Sequence, residues 1–133
     1  MRIVADTNVL VSAFVFPGGA PETVFRHALT GRIRIVTSPA LLAELGRVLV
    51  DKLGLEPDLA AAAVAQVARV GDVVRPTDPV AEIAEDPSDN RVLEACAAGA
   101  AESIVSGDRH LLRLGTWQGV PILTPAQLLE LLD

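Results

Sequence analysis

The sequence contains a single cysteine, Cys96, and no apolar run near the roughly 20 residues that a membrane-spanning helix needs. One cysteine excludes a disulfide within the chain and a cysteine-rich zinc site, and its alanine neighbours favour a place in the core. The N-terminus has no basic region followed by a long apolar segment and a cleavage site. We therefore expect a cytoplasmic protein without membrane contact, whose residues 1–133 form a single domain.

An excess of positive charge is also missing, because 11 basic and 17 acidic residues give a formal net charge of −6. A protein that binds nucleic acid over its whole surface should be basic, so any nucleic-acid contact must be local. All but one of the lysines and arginines are arginines, which suit bidentate phosphate contacts. The Gly18-Gly19 loop lacks the Gly-Lys-Ser/Thr ending of a P-loop, which excludes that kind of phosphate site.

Short apolar runs alternate with helical patterns along the whole chain. The runs predict strands over residues 3–5, 33–36, 73–76, 103–106 and 120–123. Helices are predicted to begin near residues 9, 21, 39, 57, 87, 109 and 125. Pro76 places the third strand near a sheet edge, and residues 115–119 are predicted to form a loop. The alternation predicts an α/β fold with a mostly parallel sheet of about five strands flanked by helices.

Two aspartates follow strands of this predicted sheet. Asp6 comes directly after the first strand, and Asp108 lies just past the end of the fourth. The carboxyl ends of parallel strands meet at one edge of a sheet, where ligands bind, so we expect these two carboxylates to lie close together. The alternative for Asp6 is that it only caps the helix that follows it.

Two further acids can reach the same edge. Glu44 lies at the margin of the apolar stripe of its helix, too far inside that helix to act as a cap, although a long acid there can also extend to water. The segment 85–90 is a second acidic centre, in which Asp86 is predicted to cap a helix and Asp89 to reach back as in a capping box. Capping alone would explain Asp86 and Asp89 without any function.

The convergence of Asp6, Glu44, Asp89 and Asp108 on one crevice is harder to explain by capping. Clustered carboxylates repel one another and raise one another's pKa unless a cation neutralises them. Ligands that are all oxygen select a hard ion, Mg²⁺ or Mn²⁺. Such an ion can activate water and stabilise the charge on a phosphodiester during cleavage, so a phosphate-bearing substrate is the natural inference.

The ordered set of these motifs resembles a PIN domain, in particular the VapC-like toxins of toxin–antitoxin pairs. The motifs are Asp6-Thr7-Asn8-Val9-Leu10, the lone Glu44, Asp86-Pro87-Ser88-Asp89-Asn90 and Ser106-Gly107-Asp108. The resemblance covers almost the whole chain and implies a three-layer PIN-like fold with the activity of a Mg²⁺- or Mn²⁺-dependent ribonuclease.

Carried over residue by residue, the family's catalytic and metal-binding acids fall on Asp6, Glu44, Asp89 and Asp108. Asn8 and Ser106 take the place of supporting polar neighbours. Relatives often have an acid where Ser88 stands and a threonine where Ser106 stands; the first departure could weaken metal binding, and the second keeps the hydroxyl. Asp86 could be an additional or outer ligand, but capping is the favoured interpretation.

Three arginines, Arg91, Arg109 and Arg113, lie near these acids in sequence and are candidates for phosphate contacts. His110 is also near enough in sequence to contact a phosphate, and it is a weaker candidate for the role of general acid. The resemblance further implies an RNA substrate, a cognate antitoxin that masks the site, and a homodimer. The leucine-rich terminal helix is a candidate dimer contact, although core packing is the favoured interpretation.

Two other functions fit parts of the sequence. A phosphatase of the haloacid dehalogenase type also begins with a strand and an aspartate, but it requires a second aspartate two residues later, where this chain has Asn8. It also requires a later lysine, and Lys52 is the only lysine. The other alternative is a catalytically silent PIN fold that serves as a binding module, against which the presence of all four acids counts.

Overall fold

The computed structural model describes residues 1–83 and 86–133, so Glu85 of the predicted acidic segment lies outside the described residues. The strands are β1 (Arg2–Ala5), β2 (Arg34–Thr37), β3 (Asp72–Val73), β4 (Ser103–Val105), β5 (Thr116–Trp117) and β6 (Val120–Leu123). The α-helices are α1 (Thr7–Val15), α2 (Ala20–Leu29), α3 (Pro39–Asp51), α4 (Pro57–Val70), α5 (Asn90–Gly99), α6 (Arg109–Leu114) and α7 (Pro125–Leu132).

The strands form one sheet in the order β3-β2-β1-β4-β6-β5. All neighbouring pairs are parallel except β5 with β6, which confirms the predicted mostly parallel α/β sheet. The chain moves outward from β1 through β2 to β3 and then returns to β4 on the other side of β1. The strand order therefore reverses between β1 and β4, and in open α/β sheets the crevice at such a reversal is where ligands bind.

Side chains of the central strands alternate between two apolar cores, one on each face of the sheet. Ile3 and Ala5 of β1 belong to the larger core, with residues of α1, α2, α3, α4 and α7. Val4 points the other way and belongs to the second core, with residues of α5 and α6 and with the buried Cys96. Helices thus cover both faces, which confirms the three-layer arrangement and the expected core position of Cys96.

The predicted loop over residues 115–119 is wrong, because these residues form a hairpin with β6. Thr116 and Trp117 pair antiparallel with Pro121 and Val120. Gln118 and Gly119 both have positive φ angles, 50° and 79°, as in the tight turns whose twist matches a hairpin. The burial of Trp117 stabilises this pairing and gives the sheet a sixth strand.

The third strand lies at a sheet edge as predicted, but it covers Asp72–Val73 and not residues 73–76. Its position is fixed by parallel pairing with the end of β2 and by hydrogen bonds from Arg2 and Arg34 to the Asp72 carboxylate. Pro76 lies beyond the strand, where its missing N–H costs no ladder hydrogen bond.

Core packing is the main role of the leucines in α7, as the sequence favoured. Leu128 is fully buried, and Leu129 and Leu132 pack against the larger core, whereas Leu131 is 61% exposed. Thr124 begins this helix with a capping box to Gln127. Among the helices of the described residues, none is long and apolar enough to cross a membrane.

Candidate metal centre

Asp6 lies at the carboxyl end of β1, where the strand order reverses. Its backbone N–H donates to the carbonyl of Val105 in β4 at 2.9 Å, so the backbone holds it against the neighbouring strand. Its side chain is only 4% exposed and makes no capping hydrogen bond to α1, so the capping alternative for Asp6 is wrong. Instead, Oδ2 of Asp6 accepts a 2.8 Å hydrogen bond from Oγ of Ser106.

Burial raises the pKa of Asp6 to about 6 from its ordinary value of 3.8. The hydrogen bond from Ser106 lowers this pKa and so opposes the effect of burial, while the charges of Asp108 and Glu44 raise it further. Glu44, half-buried in α3, is therefore close enough to act on Asp6 electrostatically. The negative charge of Asp6 is costly where it lies, and a nearby cation would offset that cost.

Asp86 and Asp89 differ in what their carboxylates do. Oδ1 of Asp86 accepts from the backbone N–H of Ser88 at 3.1 Å and from its hydroxyl at 2.6 Å, which confirms Asp86 as the cap of a 3₁₀ turn over Pro87–Asp89. The predicted capping box is wrong, since the Asp89 side chain makes no capping hydrogen bond. Asp89 is 5% exposed, and its Oδ2 atom has no hydrogen-bond partner among the described residues.

The unpartnered carboxylate of Asp89 faces other negative groups. Burial is the main cause that raises its pKa, the charges of Asp108, Asp6 and Asp86 raise it further, and a hydrogen bond to the Asp108 side chain, which favours the protonated acid, acts in the same direction. A buried carboxylate oxygen without a hydrogen-bond partner lowers the free energy of unfolding, because its hydrogen bonds to water are lost and not replaced. This orphaned oxygen is the feature of the site that capping and packing leave unexplained.

Asp108 begins α6 and also belongs to the acidic group. Its Oδ1 atom accepts from the backbone N–H groups of His110 at 2.7 Å and Leu111 at 3.3 Å. Its own N–H donates to Oγ of Ser106 at 2.9 Å. The Ser106 hydroxyl therefore joins Asp6 to the turn that carries Asp108, and the capping bonds fix the direction of the Asp108 side chain.

His110 lies among these carboxylates. Its Nδ1 atom is 3.6 Å from Oδ1 of Asp108 and 4.0 Å from Oδ2 of Asp89, and one ligand atom from each of the three side chains lies within 4.8 Å of the other two. From the sequence, His110 was a candidate for a phosphate contact or a general acid, but not for a metal ligand. The capping aspartate two residues before it gave the one sequence signal that its side chain starts near the site.

Comparison with known proteins identifies the family of the chain. The family profile described as "PIN domain" matches residues 2–110. The chain belongs to the PIN domain family. It is also 29% identical over 119 residues to an uncharacterized protein of Methanocaldococcus jannaschii, covering 86% of this chain and 75% of that protein.

Two solved structures share the fold of this PIN domain at low sequence identity. One is VapBC2 from Rickettsia felis bound to a DNA fragment from their promoter, with a TM-score of 0.62 and 14% identity, covering 92% of this chain and 97% of that chain. The other is PAE2754 from Pyrobaculum aerophilum, with a TM-score of 0.64 and 17% identity, covering 98% of this chain and 89% of that chain.

Asn8, a supporting residue predicted from the sequence, lies beside a cavity of the PIN domain. Asn8 is exposed and lines a mostly apolar cavity of about 360 Å³, together with Ser12, Gly107 and Thr124. The cavity therefore adjoins the segments that follow β1, β4 and β6, on the same edge of the sheet as the acids.

The three candidate arginines differ in what they contact. Arg91 pairs with Glu94 of the same helix, Nε lying 2.8 Å from Oε1. Arg109 and Arg113 are exposed on α6. Of the three, the two arginines of α6 are thus exposed on the helix that Asp108 caps.

The donor set fits a divalent cation. Among the described residues, Asp89, Asp108 and His110 each place a ligand atom within 4.8 Å of the other two, and Oδ2 of Asp89 lacks a hydrogen-bond partner. Asp6 and Glu44 lie outside this group of three; the charge of Asp6 raises the pKa of Asp89, and the charge of Glu44 raises that of Asp6. A cation at this position would neutralise the repulsion that raises the pKa of Asp6 and Asp89, and oxygen donors suit Mg²⁺ or Mn²⁺.

Proposed function

We propose that this PIN domain, with residues 1–133 as one domain, is a Mg²⁺- or Mn²⁺-dependent endoribonuclease that hydrolyses RNA phosphodiester bonds. The observation that carries the proposal is the meeting of three buried or half-buried aspartates at the strand reversal, where Asp89 keeps an oxygen without a hydrogen-bond partner among the described residues. In a purely structural cluster, the free-energy cost of burying this oxygen without a partner would remain, whereas a bound cation would offset it.

In this proposal Asp6, Asp89 and Asp108 hold the ion, and Glu44 binds it directly or through water. When bound, the ion activates water and stabilises the charge that develops on the phosphodiester. Ser106 orients Asp6 through its hydroxyl, and the N-terminal N–H groups of α6 orient Asp108. Arg109 and Arg113 contact RNA phosphates, while Arg91, already paired with Glu94, contributes less.

An RNA substrate agrees with the charge distribution. The net charge of −6 opposes binding of nucleic acid over the whole surface, so the contact is confined to the edge of the sheet that holds the acids and the α6 arginines. The cavity beside Asn8 has a mostly apolar lining, which suits the flat face of an unstacked base next to the cleaved bond. Single-stranded or looped RNA is therefore the favoured substrate class.

We further propose that the protein is the cytoplasmic toxin of a type II toxin–antitoxin pair, with a cognate antitoxin as partner and a homodimer as its assembled form. The fold likeness to a VapBC protein of Rickettsia felis and the membership of the PIN family support this assignment. The exposed Leu131 of α7 is available for a contact between subunits.

The experiment is cleavage of a mixed set of structured and single-stranded RNAs with Mg²⁺, with Mn²⁺ and with EDTA, using the protein and its Asp89→Asn variant. Asn keeps the size of the side chain and removes the charge. Cleavage that needs the ion and is lost in the variant supports the nuclease. Absence of cleavage combined with absence of ion binding in a titration would instead indicate a silent binding module.

A further inference from the structure

We propose that His110 is a nitrogen ligand of the bound ion, and that this ligand makes the site prefer transition ions such as Mn²⁺ and Zn²⁺ over Mg²⁺. The inference rests on the proposed metal site and specifies which ion it takes. Its basis is the position of His110 Nδ1 between the carboxylates of Asp89 and Asp108.

The distances from Nδ1 of His110 to the two carboxylates are too long for hydrogen bonds and suit atoms that bind the same ion. Nδ1 lies 3.6 Å from Oδ1 of Asp108 and 4.0 Å from Oδ2 of Asp89. A hydrogen bond from a ring nitrogen to an oxygen is about 2.7–3.2 Å long, whereas two donors bound to one ion at 2.0–2.3 Å lie roughly 3–4 Å apart. The three donor atoms are thus spaced as ligands around a common centre.

Both atoms that face each other are buried and unsatisfied. Nδ1 of His110 and Oδ2 of Asp89 have no hydrogen-bond partner among the described residues, and Asp89 is 5% exposed. Two such atoms side by side would each lose the free energy of a hydrogen bond to water. A single cation between them would satisfy both atoms at once.

The chain also holds the imidazole in this position. The backbone N–H of His110 donates to Oδ1 of Asp108 at 2.7 Å, so the histidine and the aspartate are fixed relative to each other by the first turn of α6. Only 21% of the His110 side chain is exposed, which restricts its rotation. Adding an imidazole to the carboxylates of the proposed site makes the ligand set mixed nitrogen and oxygen, which suits first-row transition ions better than Mg²⁺.

The first test uses protein labelled with ¹⁵N in histidine, because the chain has only two histidines and His27 in α2 serves as an internal control. The His27→Gln variant assigns the remaining signals to His110. Titration with diamagnetic Zn²⁺ is expected to shift the Nδ1 resonance of His110 at one equivalent and to leave His27 unchanged. Zinc binding with an unmoved His110, or with a shift only at Nε2, would overturn the inference.

The second test compares affinities for Mn²⁺ and Mg²⁺ by calorimetry in the absence of RNA. In His110→Ala we expect the affinity for Mn²⁺ to fall about tenfold or more and that for Mg²⁺ to change less than about threefold. His110→Asn, which offers an amide oxygen near the former Nδ1 position, should restore part of the Mn²⁺ affinity without the preference for Mn²⁺. Equal losses for both ions in His110→Ala would contradict a nitrogen ligand.

These measurements separate the ligand assignment from the ribonuclease assignment. Coordination by His110 in a protein that cuts no RNA supports the inference and opposes the proposed activity. RNA cleavage with either ion, combined with an Nδ1 resonance of His110 that does not shift, supports the activity and overturns the inference. A protein that binds neither Zn²⁺ nor Mn²⁺ contradicts both.

Discussion

Oγ of Ser106 donates a 2.8 Å hydrogen bond to Oδ2 of Asp6, across 100 positions of sequence. The same hydroxyl oxygen accepts from the backbone N–H of Asp108 at 2.9 Å, so one fully buried serine couples two acids of the proposed metal site. This relationship ties the ends of β1 and β4 together at the point where the strand order reverses.

Replacing Ser106 by alanine should weaken ion binding. The variant removes the hydrogen bond that lowers the pKa of Asp6 and releases the turn that carries Asp108, so we expect a loss of about 10–100-fold in Mn²⁺ affinity and in RNA cleavage. Ser106→Thr keeps the hydroxyl and serves as the matched variant. Calorimetry that finds the same affinity in Ser106→Ala as in the original protein would contradict the coupling.

The charge of Asp6 should destabilise the protein when no metal is present. Its pKa is about 6 in the folded state and near 3.8 otherwise, so the folded state favours the protonated acid. The stability that this preference provides is complete below pH 3.8, falls as the pH rises through about 6, and is absent above it. Asp6→Asn should therefore gain up to about 3 kcal/mol in unfolding free energy relative to the original protein between pH 4 and pH 7.

Urea unfolding in EDTA at several pH values measures this difference. The two proteins should be closest in stability at pH 4, and the variant should be the more stable at pH 7. Added Mn²⁺ should stabilise the original protein more than the variant, because binding to the folded state adds to its stability. If the unfolding free energies of the two proteins differ by the same amount at every pH, burial does not raise the pKa of Asp6.

Asp72 should have the opposite pH dependence. Hydrogen bonds from Arg34 and Arg2 hold the pKa of its carboxyl below 3.8, so its contribution to stability is present above that pH and is lost as the pH falls through the lowered value. Asp72→Asn should cost at most about 1 kcal/mol near neutral pH, since the pairs are partly exposed. The cost should shrink in acid unfolding experiments, and a cost that grows with acidity would exclude this interpretation.

Gly99 allows α5 to pack closely on β2. A Cβ atom at this position would lie 2.3 Å from Cγ1 of Val36, so Gly99→Ala should lose about 1–3 kcal/mol of unfolding free energy. Gly46 in α3 is the matched control, because a Cβ atom there would meet Cγ2 of Val64 at 3.5 Å. Gly46→Ala should be neutral or gain about 0.5–1 kcal/mol from helix propensity, and chemical denaturation distinguishes the two.

Local sequence signals predicted the parts of the fold that depend on neighbours along the chain. Ser38 caps α3 by accepting from the backbone N–H of Leu41, and Thr124 caps α7, both at starts that a hydroxyl followed by proline predicted. The apolar runs of β1 and β4 predicted a parallel sheet, and with it the edge that Asp6 and Asp108 share.

Contacts between distant segments decided what the sequence could not predict. Asp6 was compatible with a helix cap, but Ser106 from the other half of the chain takes its hydrogen bond. Asp89 fitted a capping box, but its side chain is buried near the charge of Asp108 and makes no capping hydrogen bond. Trp117 lies in a segment rich in glycine, which predicted a loop, but this segment pairs antiparallel with β6 and forms a strand. The position of His110 Nδ1 likewise depends on how the turn before α5 packs against α6.

In the proposed function, the acids at the strand reversal hold an ion that RNA cleavage requires. The most direct measurement is the rate of cleavage of single-stranded RNA with Mn²⁺ by Asp6→Asn, with Asp72→Asn, at the other end of the parallel strands, as the matched loss of one carboxylate. We expect Asp6→Asn to cut RNA only at the rate seen in EDTA and Asp72→Asn to keep the original rate. Cleavage that persists in Asp6→Asn, or that is equally fast in EDTA, would show that the acids do not hold a required ion.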